Sequence, residues 1–247
     1  MLTPFSADLH MHTCLSPCAE IDMTPREIVL RARERGLHII AITDHNSAEN
    51  VEATRRVASG TGLLVLAGME IASSEEVHIL GLFESPDEAM RMQEVVYAHL
   101  PSGENDERLY GHQIIVNEDN EVLGFNRRLL IGATDLSAHK IVDLINSFGG
   151  ISIASHIDKE AFSVLSQLGF IPDDLCFDAV ELSSLIRRTE AERKFDALKK
   201  FPSVSFSDAH HIADIGRRRT TFALRTPTFN ELKQAFSHSN GRSLFWE

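Results

Sequence analysis

The chain has 247 residues, 43% of them apolar, which is enough for one large or two small cored domains. Lys and Arg number 24 against 36 Asp and Glu, and the net charge of −12 argues against long duplex nucleic acid as a partner, because phosphate neutralisation needs a basic excess. Residues 1–7 carry neither a basic stretch nor an apolar one, and the longest apolar run, residues 63–67, is far too short for a bilayer span; a soluble cytoplasmic protein is expected, with no membrane partner.

Residues 7–12 read as a strand and 24–35 as a helix, with Thr24 as N-cap, Pro25 at the first helical position and Gly36 closing it. A buried strand at 38–43 precedes a helix at 47–59. Strands at 63–67 and 77–83 come next, then a helix at 86–99. Residues 101–134 break this rhythm: two short strands flank Asn117-Glu118-Asp119-Asn120, a β-hairpin inside an insertion rather than a second domain. Alternation resumes with helix 137–148, strand 151–154, helix 159–168, strand 179–182, helix 188–200, strands 204–206 and 221–224, and helix 228–238. Repeated β-then-α with continuously apolar strands predicts a parallel sheet covered by helices. With about seven such strands, a barrel is favoured over an open sheet, as one domain spanning residues 1–247.

Two words stand out, Asp8-Leu9-His10-Met11-His12 and Ser207-Asp208-Ala209-His210. Histidines two apart on a strand share a face, and neutral imidazoles converging with carboxylates suit a borderline-soft divalent metal. Other polar residues share one address at strand ends: Asp44 and His45, Glu70, and His156; His78 interrupts an apolar strand. Singly, each has a plain explanation: a hydrogen-bonded core histidine, a helix cap or a surface acid. Jointly they predict one metal-binding mouth at the carboxyl ends of the strands, with Asp44 supporting a ligand imidazole. The odd cysteine count (Cys14, Cys18 and Cys176) argues against a disulfide framework. Cys14 and Cys18 have a zinc-like spacing without further ligands in view, and Cys14 is read as packing.

The stretches DLHMHT (8–13), ITDHN (42–46), GMEI (68–71), VHILGLF (77–83), ASH (154–156) and FSDAH (206–210) resemble the polymerase and histidinol phosphatase superfamily of metal-dependent phosphoesterases. The resemblance implies an α/β fold, a distorted (β/α)7 TIM-like barrel, with two or three divalent ions (Mn, Zn or Fe) as cofactors. One ion would take His10, His12, Glu70 and Asp208. A second would share Glu70 and add His78 and His156; a third would take His45 and His210. Many relatives carry Asp or His seven or eight residues after the first histidine. Here Pro17 and Cys18 stand there, so Cys18 or Glu20 is the expected substitute ligand.

The implied chemistry is hydrolysis of phosphate esters on a small phosphorylated substrate, such as a nucleoside phosphate, a short oligonucleotide or histidinol phosphate. His156, His210 and His211 are candidate proton carriers, with Asp44 in support. Lys159, Arg187 and Arg217, the arginines drawn from the runs at 187–188 and 217–219, are candidate phosphate clamps. The competing readings are a 3′–5′ exonuclease and a non-catalytic metal-binding scaffold or regulator. The insertion is a candidate lid over the metal mouth.

Overall fold

A computed structural model describes residues 1–247. The first half runs β1 (Thr3–Asp8), α1 (Pro25–Glu34), β2 (Ile39–Ile42), α2 (Val51–Ala58), β3 (Leu64–Ala72), β4 (His78–Phe83) and α3 (Pro86–Ala98). The insertion holds α4 (Glu107–Tyr110), β5 (Ile114–Val116) and β6 (Val122–Phe125). Then come α5 (Ala138–Ser147), β7 (Ile151–Ala154), α6 (Val164–Leu168), β8 (Ala179–Leu182) and α7 (Arg188–Lys194). The chain ends with β9 (Ser203–Ser205), β10 (Thr220–Leu224), α8 (Phe229–Phe236) and β11 (Ser243–Phe245). No helix is long and apolar enough to cross a membrane.

Nine strands form one sheet in the order β11-β10-β1-β2-β3-β4-β7-β8-β9. Bonds beyond the ladders draw its far strand back to the start: His12 N donates to Ala209 O at 3.0 Å, and Ser205 N to Thr220 Oγ1 at 3.0 Å. The result is a nearly closed, helix-wrapped α/β barrel, as the sequence predicts. The sheet is not wholly parallel, however. β4 runs antiparallel to β3 and β7, and β10 antiparallel to β1 and β11. The link over residues 73–77 forces the first reversal, since a parallel crossover needs a dozen residues or more.

Some boundaries also move. β1 stops at Asp8, short of His12, because the backbone of Met11 turns to Thr43 Oγ1 at 3.1 Å. β3 continues through Ala72, so Glu70 lies inside a strand rather than after one. The helix expected over 159–168 shrinks to α6, capped by Ser163, and the preceding residues turn over the barrel mouth.

Strands buried on both faces explain the continuous apolar runs. Ile40 and Ile42 pack outward with Ile28 and Val29 of α1. Ile39, Ala41, Leu66, Leu80, Leu82, Ile151, Ile153 and Ala179 point inward, joined there by Phe229, Leu232 and Phe236 of α8. Lys233 of α8 reaches Gly149 O, just before β7, at 2.8 Å, so α8 stoppers the barrel at the amino ends of its strands. The opposite end stays open for chemistry.

The hairpin β5–β6 is a separate two-stranded sheet. Asn50, buried before α2, holds it: Nδ2 donates to Ile114 O at 3.0 Å and to Thr13 Oγ1 at 2.9 Å, and Oδ1 accepts from Val116 N at 3.0 Å.

Candidate metal centre

The inward period of each strand carries its polar residue to the mouth. Glu70 is in step with Leu66, His78 with Leu80 and Leu82, and Glu181 with Ala179. His45 continues the step of Ile39 and Ala41, and Asp208 that of Val204 and Phe206. His156 is out of step with Ile151 and Ile153, and its φ of 27° turns it inward; Asp208 also has a positive φ, 51°. Such backbone persists where the surroundings over-determine it, commonly at functional sites. Asp8 anchors the Asp208 loop by accepting from Ser207 N at 3.0 Å and Gly216 N at 2.9 Å, and burial pushes its carboxyl up to about 6.

Eight of the expected ligands meet around Glu70 and Asp208: His10, His12, His45, His78, His156 and His210 complete the set. From Glu70 Oε1, His10 Nε2 and His156 Nε2 lie at 3.3 Å and His78 Nδ1 at 3.1 Å. From Glu70 Oε2, His45 Nδ1 lies at 3.2 Å and His12 Nε2 at 3.6 Å. Asp208 Oδ1 stands 3.4 Å from both His10 Nε2 and His12 Nε2. Three groupings bring ligand atoms within 4.8 Å of one another: His10–His12–Asp208, His45–Glu70–His78 and His12–His45–His210.

The donor set fits divalent cations. His10 Nε2, His12 Nε2, His78 Nδ1 and Glu70 Oε1 are buried without a hydrogen-bond partner. Leaving such atoms unsatisfied costs free energy that a shared ion removes. Ligands about 2.0–2.2 Å from one ion also stand about 3.0–3.5 Å from each other, the spacing seen here.

The layer behind sets the tautomers. His10 Nδ1 donates to Glu181, at 2.9 Å from Oε2, because a carboxylate only accepts; this turns the Nε2 lone pair toward the cluster. Ser16 Oγ donates to Asp44 Oδ1 at 2.7 Å and accepts from His12 Nδ1 at 3.0 Å, with the same result. His210 Nδ1 donates to Asp208 O at 2.9 Å. Charge is arranged to match. Burial opposes a charged Glu70, but positive charge on His78 and then His10 holds its carboxyl well below the usual range. Without an ion, Glu181 and Asp208 in turn hold His10 protonated against burial; a bound cation would supply that charge instead and leave the Nε2 lone pair free. Burial, then His210, lowers His12 to about 4, and burial, then His12, holds His45 well down, so both are neutral donors at pH 7.

Other expected residues fall elsewhere. Asp44 does not face the cavity; it accepts from Thr13 N at 2.7 Å and acts on His12 only through Ser16, so it is not placed to touch a substrate. Glu20 pairs with His211 at 2.9 Å, both more than half exposed, which removes Glu20 from the ligand cluster and His211 from the reacting atoms. Cys18 lines the cavity but stays open to solvent and joins none of the ligand groupings; the crowding of its sulfur, then Glu70, pushes the thiol up, away from the thiolate a ligand would need. Cys14 packs in the interior beside Ile114 and Val116.

Lys159 lines the cavity and pairs with Asp208; burial works against its charge, but Asp208 holds its pKa above the ordinary value. Arg187 sits exposed ahead of α7 and outside the cavity, because the strand-end loop turns it away. Arg217 borders a neighbouring groove and pairs with Asp214 at 3.4 Å. Glu181 escaped the sequence reading as a site residue, although an acid inside the apolar run Ala179-Val180-Glu181-Leu182 was a visible signal.

The PHP domain model matches residues 8–164, more than half of the chain. The chain belongs to the PHP domain family. Glu181, Asp208 and His210 lie beyond the matched stretch and complete the cluster from β8 and β9. An uncharacterized protein of Methanocaldococcus jannaschii is 35% identical over 89 residues, covering 33% of this PHP chain and 52% of its own. A 3′,5′-nucleoside bisphosphate phosphatase of Chromobacterium violaceum is 34% identical over 84 residues, covering 33% and 28%. This chain therefore matches about half or less of the length of those relatives. A lesion-specific endonuclease of Pyrococcus furiosus superposes with a TM-score of 0.77 at 18% identity, over 98% of this chain and 58% of that one, a likeness of fold.

Proposed function

We propose that this PHP protein is a metal-dependent phosphoesterase that hydrolyses small phosphate esters, nucleoside phosphates or short oligonucleotides among them. The single observation that carries this reading is the convergence of six histidines with Glu70 and Asp208 at the open end of the barrel. His10, His12, Glu70 and Asp208 would hold one ion, Glu70, His78 and His156 a second, and His45 with His210 a third. Such ions, Mn, Zn or Fe, polarise a phosphoryl group and make water nucleophilic near neutral pH.

The chain's own residues supply the rest. Lys159, charged and beside Asp208, neutralises phosphoryl oxygens. With two ions bound, His210 Nε2 is free of metal, and His210, a quarter exposed and oriented by Asp208 O, carries a proton to the leaving oxygen; the buried His156 would do so only off the second ion. The 247 residues act as one unit, with residues 101–134 forming a wall of the cavity through Ile131.

Elemental analysis after reconstitution with Mn or Zn tests the reading, together with phosphate release from nucleoside monophosphates. The expected result is about two to three ions per chain, fewer in Asp208→Ala, with turnover at least about 100-fold lower in that variant. Folded protein that binds no metal would reject it. Mononucleotides released from single strands, with no action on monophosphates, would favour the exonuclease instead.

A further inference from the structure

Beside the polar cluster, the cavity of about 580 Å³ has an apolar rim. Ile131, Phe162 and Leu185 line it, and they remain 37%, 45% and 83% exposed. They come from three separate segments: the insertion, the turn after β7 and the loop after β8. Single exposed apolar side chains are ordinary; three around one cavity mark a binding surface.

Each is held by a polar anchor. Asn46, next to His45 and at φ 51°, donates from Nδ2 to Leu130 O at 2.7 Å and Gly132 O at 2.9 Å, the carbonyls flanking Ile131. Arg218 does the same for Leu185, donating from Nη2 to Ser184 O and Ile186 O, both at 3.0 Å. Phe162, at φ 58°, accepts from His78 N at 2.9 Å through its own carbonyl. Its ring lies on the His78 imidazole, centroids 4.7 Å apart and planes 16° from parallel. Asp158 ties the two loops together, accepting from Ser183 N at 2.7 Å and Ser183 Oγ at 2.6 Å. The rim is thus fixed relative to His45 and His78 before any ligand arrives, which lowers the ordering cost of binding.

From this geometry we infer that Phe162, flanked by Ile131 and Leu185, is a specificity-determining residue that stacks a flat aromatic group of the substrate, as a nucleobase is. The inference rests on the phosphoesterase reading: with the phosphate at the Glu70–Asp208 cluster and Lys159, the ester's organic portion extends toward Phe162. Stacking on an aromatic side chain is tolerant of base identity, so the rim selects for a base rather than for one base. The ring also covers His78, and for that reason loss of activity alone would not distinguish recognition from packing.

The test compares adenosine 5′-phosphate with ribose 5-phosphate, which has the same ester and no base, on metal-loaded protein. The wild type is expected to favour the nucleotide in kcat/KM by about 5- to 150-fold. Phe162→Leu, which still covers His78 but has no aromatic face, should bring that ratio down toward one, as should Phe162→Ala, while Phe162→Trp should keep it. A wild-type ratio near one overturns the inference, as does a variant that lowers both substrates alike. If the wild type hydrolyses neither ester, these two monoesters fail as substrates separately from the stacking inference. Stacking is then read from quenching of 2-aminopurine riboside 5′-phosphate by the Zn-loaded protein. Quenching lost in Phe162→Leu supports the inference, and quenching that is absent or unchanged overturns it.

Discussion

Glu181 shows how a residue that faces no substrate can govern a metal centre. Its carboxylate accepts from His10 Nδ1 at 2.9 Å and from His156 N at 3.1 Å, so it orients two candidate ligands at once. Glu181→Gln keeps the shape but turns one acceptor into a donor facing a donor. The expected outcome is a 10- to 100-fold weaker affinity for Mn, roughly the usual cost of losing a carboxylate behind a ligand histidine. Metal titration by calorimetry reads it, and Trp246, the buried sole tryptophan, reports by emission whether the fold survives. Unchanged affinity would reduce Glu181 to a packing role. The His10 and His12 pair stood out by its spacing, His45 by its place after a strand and His78 by interrupting an apolar strand. Glu181 was visible only as an acid in an apolar run, and Ser16 not at all, because their importance lies in which imidazole nitrogen they reach.

At the scale of elements, the insertion is a wall pinned by side chains rather than a free flap. Asn46 bridges it to β3, its Oδ1 accepting from Ala72 N at 3.2 Å. Asn46→Gly removes the side chain without penalising the positive φ, so it isolates the bridge. We expect faster amide hydrogen exchange over residues 129–133 and a loss of about 1–3 kcal/mol in unfolding free energy, from carbonyls left without donors. Unchanged exchange would mean that the hairpin's other anchors suffice.

The stopper helix α8 carries a second anchor. Arg242 pairs with Glu231 in a two-pronged contact, and Arg225 N donates to the same carboxylate at 2.8 Å. Hydrogen bonding from Arg242, then from Arg225 N, holds the Glu231 carboxyl at about 2 against an ordinary 4.5. A depressed carboxyl stabilises the fold above its unfolded pKa and loses that contribution as pH falls through its folded value. The melting-temperature gap between wild type and Glu231→Gln should therefore be full near pH 7 and close between about 4.5 and about 2. A gap independent of pH would assign the stabilisation to packing.

For the whole molecule, ion binding and stability are linked. A cluster of buried, unsatisfied ligand atoms is a liability that metal relieves only in the folded state, so metal should raise the melting temperature. At a free metal concentration of 100 times Kd the gain is about 2.7 kcal/mol, or roughly 5–10 °C for a chain of this size. Melting followed by Trp246 emission, with and without a chelator, measures it. The shift should shrink in Asp208→Ala, which loses a ligand of one ion only, and equal melting points in wild type would mean that no ion prefers the native state.

The barrel was legible because strands buried on both faces must be apolar throughout, and a polar residue breaking such a run is conspicuous. That is how His78 and Glu70, inside their strands, and His156 and Asp208, after theirs, declared themselves from the amino-acid order alone. The antiparallel course of β4 and β10 was not legible, since apolar periodicity carries no direction. Nor could spacing say that Glu20 would pair with His211, that Asp44 would act only through Ser16, or that Arg187 would face solvent. Each depends on where a loop turns after leaving its strand. The apolar rim is the clearest case: Ile131, Phe162 and Leu185 are far apart in the chain, and only closure of the barrel sets them around one cavity.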